Sequence, residues 1–313
     1  YLVPEALTEA ISVGTLVKVP FGRTHTEGVV ISRGQQLATA GLKYVDQALS
    51  SNSLFTPEQL ALFSTVAQRY GVGLWDVVRL ASPAFSAAGE KKFKANETQG
   101  VSEQSRKLER RAIRIQKALD TREQIARIVE QYSQNKVLIL APDQRTLDRY
   151  RDLADIALSG EDSKSERFKN YLQANTAKSG VVIGLRSSVF LHLGPNDCMI
   201  ILNEVDENFY EKHTPTYNAR DVALLRAPQN SIYFLASSFS LEISHLMDVG
   251  YIESVEVVNP RKNVIAAAPQ RVHGVISEGL KKGSVLIVHA NVGYVNSFSC
   301  QKCRNLALCE CGS

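Results

Sequence analysis

The stretch CMIILNEVDENFYEKHTPTYNARD, residues 198–221, decides the fold class. Cys198 to Leu202 form an unbroken apolar run that ends at Asn203, Glu204 and Asp206. A run this short, with no polar alternation, reads as a strand buried on both faces, as in parallel sheets. Chemistry in such sheets gathers at the carboxyl ends of the strands, where acids can hold a magnesium nucleotide. Here the first residue past the strand is an amide, which lacks the charge a hard dication prefers. A second use fits the same residues: short polar side chains capping the turn or helix that follows.

Working outward, KVLILAP (136–142), GVVIGL (180–185) and SIYFLAS (231–237) have the same texture, with amphipathic helical stretches between them. Residues from about 112 to 258 therefore read as a parallel α/β lobe. Its strand ends carry Pro142-Asp143, Arg186-Ser187, Glu204 to Asp206, and Ser237-Ser238. Arg220-Asp221 reads as an internal ion pair. A later segment, 271–296, reads as a helix, a glycine turn and one further strand, the start of a second lobe over 259–299.

Residues 1–85 differ. GTLVKVPFG (14–22) and EGVVISR (27–33) alternate like paired strands joined by a turn. TPEQLALFSTVAQRYG (56–71) opens on Thr-Pro, keeps helical apolar spacing and stops at Gly71, and GLWDVVRLASPAF predicts a second helix ended by Pro83. Residues 86–111 read as a linker running into a basic helix. Arg106, Arg110, Arg114 and Lys117 are spaced along one helical face, which is either a solvated surface or a strip that neutralises backbone phosphates.

The 313-residue chain is 44% hydrophobic with a net charge of +4, so ordinary cores can be filled and nucleic acid is neither required nor excluded by charge. No apolar stretch reaches the roughly 18 residues of a membrane span, and residues 1–20 lack a signal-peptide core, so a cytoplasmic location is expected. The start at Tyr1 and the stop two residues beyond Cys311 suggest a piece of a longer protein. Cys300, Cys303, Cys309 and Cys311 cluster as zinc ligands do (300–313, the beginning of a zinc module), although Cys309-Glu310-Cys311 is tighter than usual. Cys198, inside a strand, reads as a small buried hydrophobe.

Taken in order, several motifs resemble the primosomal protein N-prime family of bacterial replication-restart helicases. YLVPEAL and GTLVKVPFGRTHTEGVVIS look like its amino-terminal domain. GLRSSVF (184–190) is similar to its Gly-Thr-Arg-Ser-Ala-x-Phe motif. ILNEVDENFYEKHTPTYNARDVALLRA (201–227) resembles its Asp-Glu-Glu-His motif with the Tyr-x-Ala-Arg-Asp stretch that follows. LASSFSLE (235–242) resembles its Ser-Ala-Thr-Pro-Ser-Leu-Glu motif, and ANVGYVNSFSCQKC (290–303) the join to its zinc module.

The resemblance implies a β-rich domain that grips the 3′ end of a nascent strand, then a RecA-like helicase lobe. It places the 3′-end pocket at Tyr1, Gly22 and Lys43, with Arg23 and His25 as auxiliary phosphate contacts and Arg186 on the strand track of the lobe. Read without it, Gly22 is a turn residue, Lys43 a surface charge and Arg186 a structural residue. It implies two zincs in the whole protein, with ligands downstream of this chain. One zinc held by the four cysteines present is the alternative.

The sequence departs from the family where ATP would bind. IQKALDTREQIARIVEQYSQNK (115–136) has no glycine and no Gly-Lys-Thr, so nothing supplies a phosphate loop. Asn203, Val205 and Asp206 replace an Asp, an acid and a His, leaving Glu204. Ser237-Ser238-Phe239 stands where Ser-Ala-Thr-Pro couples hydrolysis to movement. ATP and magnesium are therefore not expected. The reading is a fork-binding replication-restart scaffold, with branched DNA bearing a 3′ end, helicase-loading and primosome proteins, and single-stranded DNA-binding protein as partners. The rivals are an active ATP-dependent 3′-to-5′ helicase and a zinc-dependent protein-interaction module.

Overall fold

The computed structural model describes residues 1–35, 40–93, 106–115, 118–257 and 272–283. The chain divides into two compact units, Tyr1–Val258 and Asn259–Ser313.

The first unit opens with β1 (Leu16–Phe21) and β2 (Thr24–Val29), an antiparallel hairpin whose last pair is Phe21 with Thr24. The short β3 (Gln47–Ala48) pairs with the other edge of β1, giving the order β2-β1-β3. Alternation places Val17 and Val19 against Ile11 and Val45 in a small core, and turns Leu16 toward Leu54, Phe55 and the helices. α1 (Pro57–Tyr70) begins in a capping box: Thr56 Oγ1 accepts from the Gln59 N–H, and Gln59 Oε1 accepts from the Thr56 N–H. It ends at Gly71 in the left-handed region, as its sequence predicts. α2 (Leu74–Ala81) stops at Ser82-Pro83.

α3 (Ala87–Lys92), where the sequence suggested a linker, packs against the lobe. Gly89 allows the approach, because a Cβ there would lie 2.4 Å from the Ser165 carbonyl oxygen. The expected basic helix does not form: β4 (Arg110–Arg114) is a strand. It is paired in parallel on both sides, and Ala112 and Ile113 are buried in cores on opposite faces of the sheet. That period of two outweighs the helical spacing of its arginines. Those arginines are occupied within the fold: Arg106 lies over the Tyr132 ring, Arg110 over the Tyr251 ring, and Arg114 lies 3.9 Å from Glu256.

The lobe continues with α4 (Ala118–Gln131), β5 (Lys136–Leu140), α5 (Gln144–Tyr150), β6 (Ile156–Leu158), α6 (Lys164–Thr176) and β7 (Gly180–Gly184). Then come β8 (Cys198–Leu202), α7 (Ala219–Arg226), β9 (Ser231–Ala236), α8 (Leu241–Asp248) and β10 (Glu253–Glu256). All seven strands are parallel, in the order β10-β4-β9-β8-β5-β7-β6. Every residue of β5, β8 and β9 is buried, including the polar Lys136 and Ser231 that open β5 and β9, and the Cys198 thiol is among them.

The N-terminal helices are fixed to the lobe by a buried polar core. Gln59 Nε2 donates to Asn175 Oδ1 at 3.0 Å and to the Phe190 carbonyl at 2.9 Å. Asn175 Nδ2 and the Tyr171 hydroxyl both donate to the Leu54 carbonyl. Phe63 of α1 stacks edge-on against Phe55 and Phe190.

In the second unit α9 (Val272–Lys282) is the described element. The strand expected after it lies outside the described residues.

Candidate nucleic-acid interface

Three residues far apart in sequence meet at the β1–β2 turn. Tyr1, Phe21, Gly22, Gly41, Leu42 and Lys43 line a shallow pocket of about 270 Å³. Residues 1–2 run beside 43–45: the Leu2 N–H donates to the Lys43 carbonyl and the Val45 N–H to the Leu2 carbonyl. The Tyr1 hydroxyl donates to the Pro20 carbonyl at 3.0 Å, and Lys43 Nζ to the Gly22 carbonyl at 3.2 Å. Gly22, at φ 59, is the first residue of a two-residue hairpin turn, a position that glycine takes without strain. Nothing lies within 4 Å of where its Cβ would be, nor of Gly41's, so their backbone is open to an incoming group.

Arg23 and His25 are exposed on the same hairpin, with His25 Nε2 3.6 Å from Asp46. Arg186 stands on the lobe, at the start of the 3₁₀ turn Arg186–Phe190. Its guanidinium contacts Glu211 at 2.6 and 3.1 Å and the Asn208 carbonyl at 3.2 Å, which is a structural engagement.

A second concavity, about 400 Å³, lies at the carboxyl ends of β4, β5, β8 and β9, with Thr121, Arg149, Asn203, Asp206 and Ser237 among its walls. Asn203 has φ 53, a left-handed conformation that Asn tolerates better than most residues. Its Nδ2 lies 3.4 Å from Asp206 Oδ2, and Asp206 Oδ1 caps the next turn by accepting from the Asn208 N–H at 3.0 Å.

Glu204 is turned into the protein. One carboxylate oxygen accepts from the Ser240 N–H at 2.6 Å, and the other is 3.5 Å from the Arg220 guanidinium. Arg220 also pairs with Asp221 at 2.9 Å and Glu242 at 3.2 Å. Burial alone would lower the Arg220 pKa, but the three carboxylates outweigh it and hold the guanidinium above its ordinary range.

Sequence reasoning missed the polar layer that carries the Arg186–Phe190 turn. Lys136 Nζ donates to the Ala174 and His192 carbonyls, and Arg226 to those of Val189 and Leu191. Burial pushes Lys136 down to about 8 and Arg226 to about 10. Burial, with both cations nearby, lowers His192 to about 4, and its Nδ1 lies 3.2 Å from Thr56 Oγ1 at the cap of α1. A lysine opening an apolar strand carries no mark of such a role.

Residues 1–83 match the family model of the PriA 3′ DNA-binding domain. The chain is 28% identical to a probable replication restart protein PriA of Mycobacterium tuberculosis, over 99% of its own length and 56% of the relative's. It is 25% identical to the replication restart protein PriA of Rickettsia conorii, over 84% of its length and 44% of that relative's. Residues 1–83 thus match a PriA-type domain, and the chain along most of its length is similar to PriA replication restart proteins. It spans about half the length of these relatives. The antiparallel sheet and its helices are thus a PriA-type 3′ DNA-binding domain, followed by a RecA-like parallel lobe. Cys300, Cys303, Cys309 and Cys311 lie outside the described residues, and among the described residues no cluster of His, Cys, Asp or Glu is arranged to hold a metal. No helix among the described residues is long and apolar enough to cross a membrane.

Proposed function

We propose that this PriA-like chain recognises forked DNA through a 3′ end and scaffolds replisome reloading without hydrolysing ATP. The observation that carries the DNA reading is the meeting of Tyr1, Gly22 and Lys43 at one open pocket within the matched domain. The glycine backbone admits a terminal nucleotide closely, and Lys43 offers a point charge to phosphate. Arg23 adds charge on the same turn, and Arg186, while paired with Glu211, is proposed as a further phosphate contact on the lobe. As partners we propose helicase-loading and primosome proteins and single-stranded DNA-binding protein, in the cytoplasm. Two zincs are proposed for the whole protein, with Cys300, Cys303, Cys309 and Cys311 supplying part of their ligands.

Three observations support the loss of ATP chemistry. The sequence between β4 and β5, residues 115–135, contains no glycine and so supplies no glycine-rich loop to cradle phosphates. Asn203 and Asp206 bond to each other and to a turn, so no acid pair is set for magnesium. Glu204, where a water-activating carboxylate would sit, is tied to Ser240 and Arg220.

The test compares forks ending in a 3′ hydroxyl or a 3′ phosphate, across a salt series, with the full natural protein. The proposal expects several-fold tighter binding of the hydroxyl end. Equal affinity for both ends would remove the 3′-end reading.

A further inference from the structure

The rim of the 3′-end pocket carries a large apolar side chain that the fold itself does not use. Phe21 is 67% exposed at the tip of the β1–β2 hairpin, although Val17 and Val19 of the same strand are buried. Its backbone is held, since Phe21 pairs with Thr24 and its carbonyl accepts from Thr24 Oγ1 at 3.1 Å. The ring thus projects from a fixed point into solvent, beside the open backbone of Gly22. Lys43 lines the same pocket and Arg23 is the second residue of the turn that follows Phe21, so cations stand close to this aromatic in the fold. A basic rim with an exposed ring is the combination by which proteins hold unpaired nucleotides, because every base offers a face to stack on.

We propose that Phe21 is a stacking platform for the second base from the 3′ end, making the site a reader of an unpaired terminal dinucleotide whatever its sequence. The inference rests on the 3′-end reading above. The part of the pocket lined by Tyr1, Gly22, Leu42 and Lys43 accommodates the terminal nucleotide. The Tyr1 hydroxyl is engaged by the Pro20 carbonyl, whereas the more exposed Phe21 ring is left free for the neighbouring base. With the terminal nucleotide held in the pocket and its neighbour stacked on Phe21, the proposed end has at least two unpaired nucleotides.

The test measures fluorescence anisotropy of labelled forks with the wild-type, Phe21→Ala and Phe21→Trp proteins. Each fork is prepared intact and with an abasic site at the first, second or third nucleotide from the 3′ end. The expected results are about tenfold weaker binding of the intact fork by Phe21→Ala, near wild-type binding by Phe21→Trp, and no difference between wild type and Phe21→Ala on the fork abasic at the second position. A Phe21→Ala loss that persists unchanged on that fork, or that vanishes only when the terminal base is missing, would overturn the assignment. Where a 3′ phosphate weakens wild-type binding but Phe21→Ala does not, stacking alone fails. Where a 3′ phosphate has no effect, the 3′-end reading fails and this inference with it.

Discussion

The Glu204 carboxylate accepts the Ser240 backbone N–H at 2.6 Å, joining the end of β8 to the start of α8. The residue that resembles a catalytic acid is therefore a staple across the carboxyl edge of the sheet. Glu204→Ala would strand this N–H and part of the Arg220 charge inside the protein, costing about 2–4 kcal/mol. Glu204→Gln keeps an acceptor and should cost less. Chemical denaturation checks the order, and equal stability of the two variants would argue against the staple.

Asn203 lies 3.4 Å from the Asp206 carboxylate. Asn203→Asp, which restores the family acid, places two carboxylates side by side and raises the pKa of the pair in the folded state. Below that pKa the repulsion is relieved; above it the variant is destabilised, by about 1 kcal/mol at neutral pH. Urea titrations at pH 4.5 and 7.5 should show the variant closest to wild type at the lower pH. ATP turnover should not appear.

His192, lowered to about 4 by burial and by the Lys136 and Arg226 charges, sets an acid limit on the contact between domains. Its folded pKa lies below the unfolded value of about 6.5. The unfolded chain therefore binds the proton more readily, and stability complete above pH 6.5 is lost as pH falls toward 4. The loss should reach about 2 kcal/mol after allowance for solvent screening. In His192→Gln this part of the acid destabilisation should be absent, as melting curves between pH 4 and 7 would report.

Asn175 accepts from Gln59 Nε2 and from the His192 N–H, and donates to the Leu54 carbonyl. Asn175→Ala leaves several buried groups unpaired at once, an expected loss of about 2–4 kcal/mol. Because these bonds cross between the N-terminal helices and the lobe, limited proteolysis should release the N-terminal domain sooner than in wild type.

The parts legible in the sequence were those with a single dominant signal. β7 and β8 are unbroken apolar runs, β5 and β9 are apolar after one polar opening residue, and α1 carries its own start at Thr56 and stop at Gly71. β6 and β10 are short strands at the sheet edges, and β10 is rich in acid. β4 is hidden among arginines whose helical spacing is coincidental, since Ala112 and Ile113 alone carry the buried pattern. At the pocket, Tyr1, Gly22 and Lys43 are each unremarkable where they stand, and family resemblance grouped them. The roles of Lys136, His192 and Asn175 depend on carbonyls distant in sequence, and no local pattern announces those.

The pocket makes a prediction of its own. Lys43→Ala should weaken fork binding several-fold and reduce its salt dependence, because one phosphate contact is lost. Gly22→Val should weaken it more, since a β-branched side chain is strained at φ 59 and covers the open backbone.

The central claim is DNA recognition without ATP chemistry, and it is tested most directly by ATP turnover of the full natural protein on a fork at concentrations where anisotropy shows the fork bound. The account predicts saturated, 3′-end-dependent binding with turnover at the level of a protein-free control. Fork-stimulated hydrolysis would contradict it and would require phosphate-binding groups outside the glycine-free stretch 115–136.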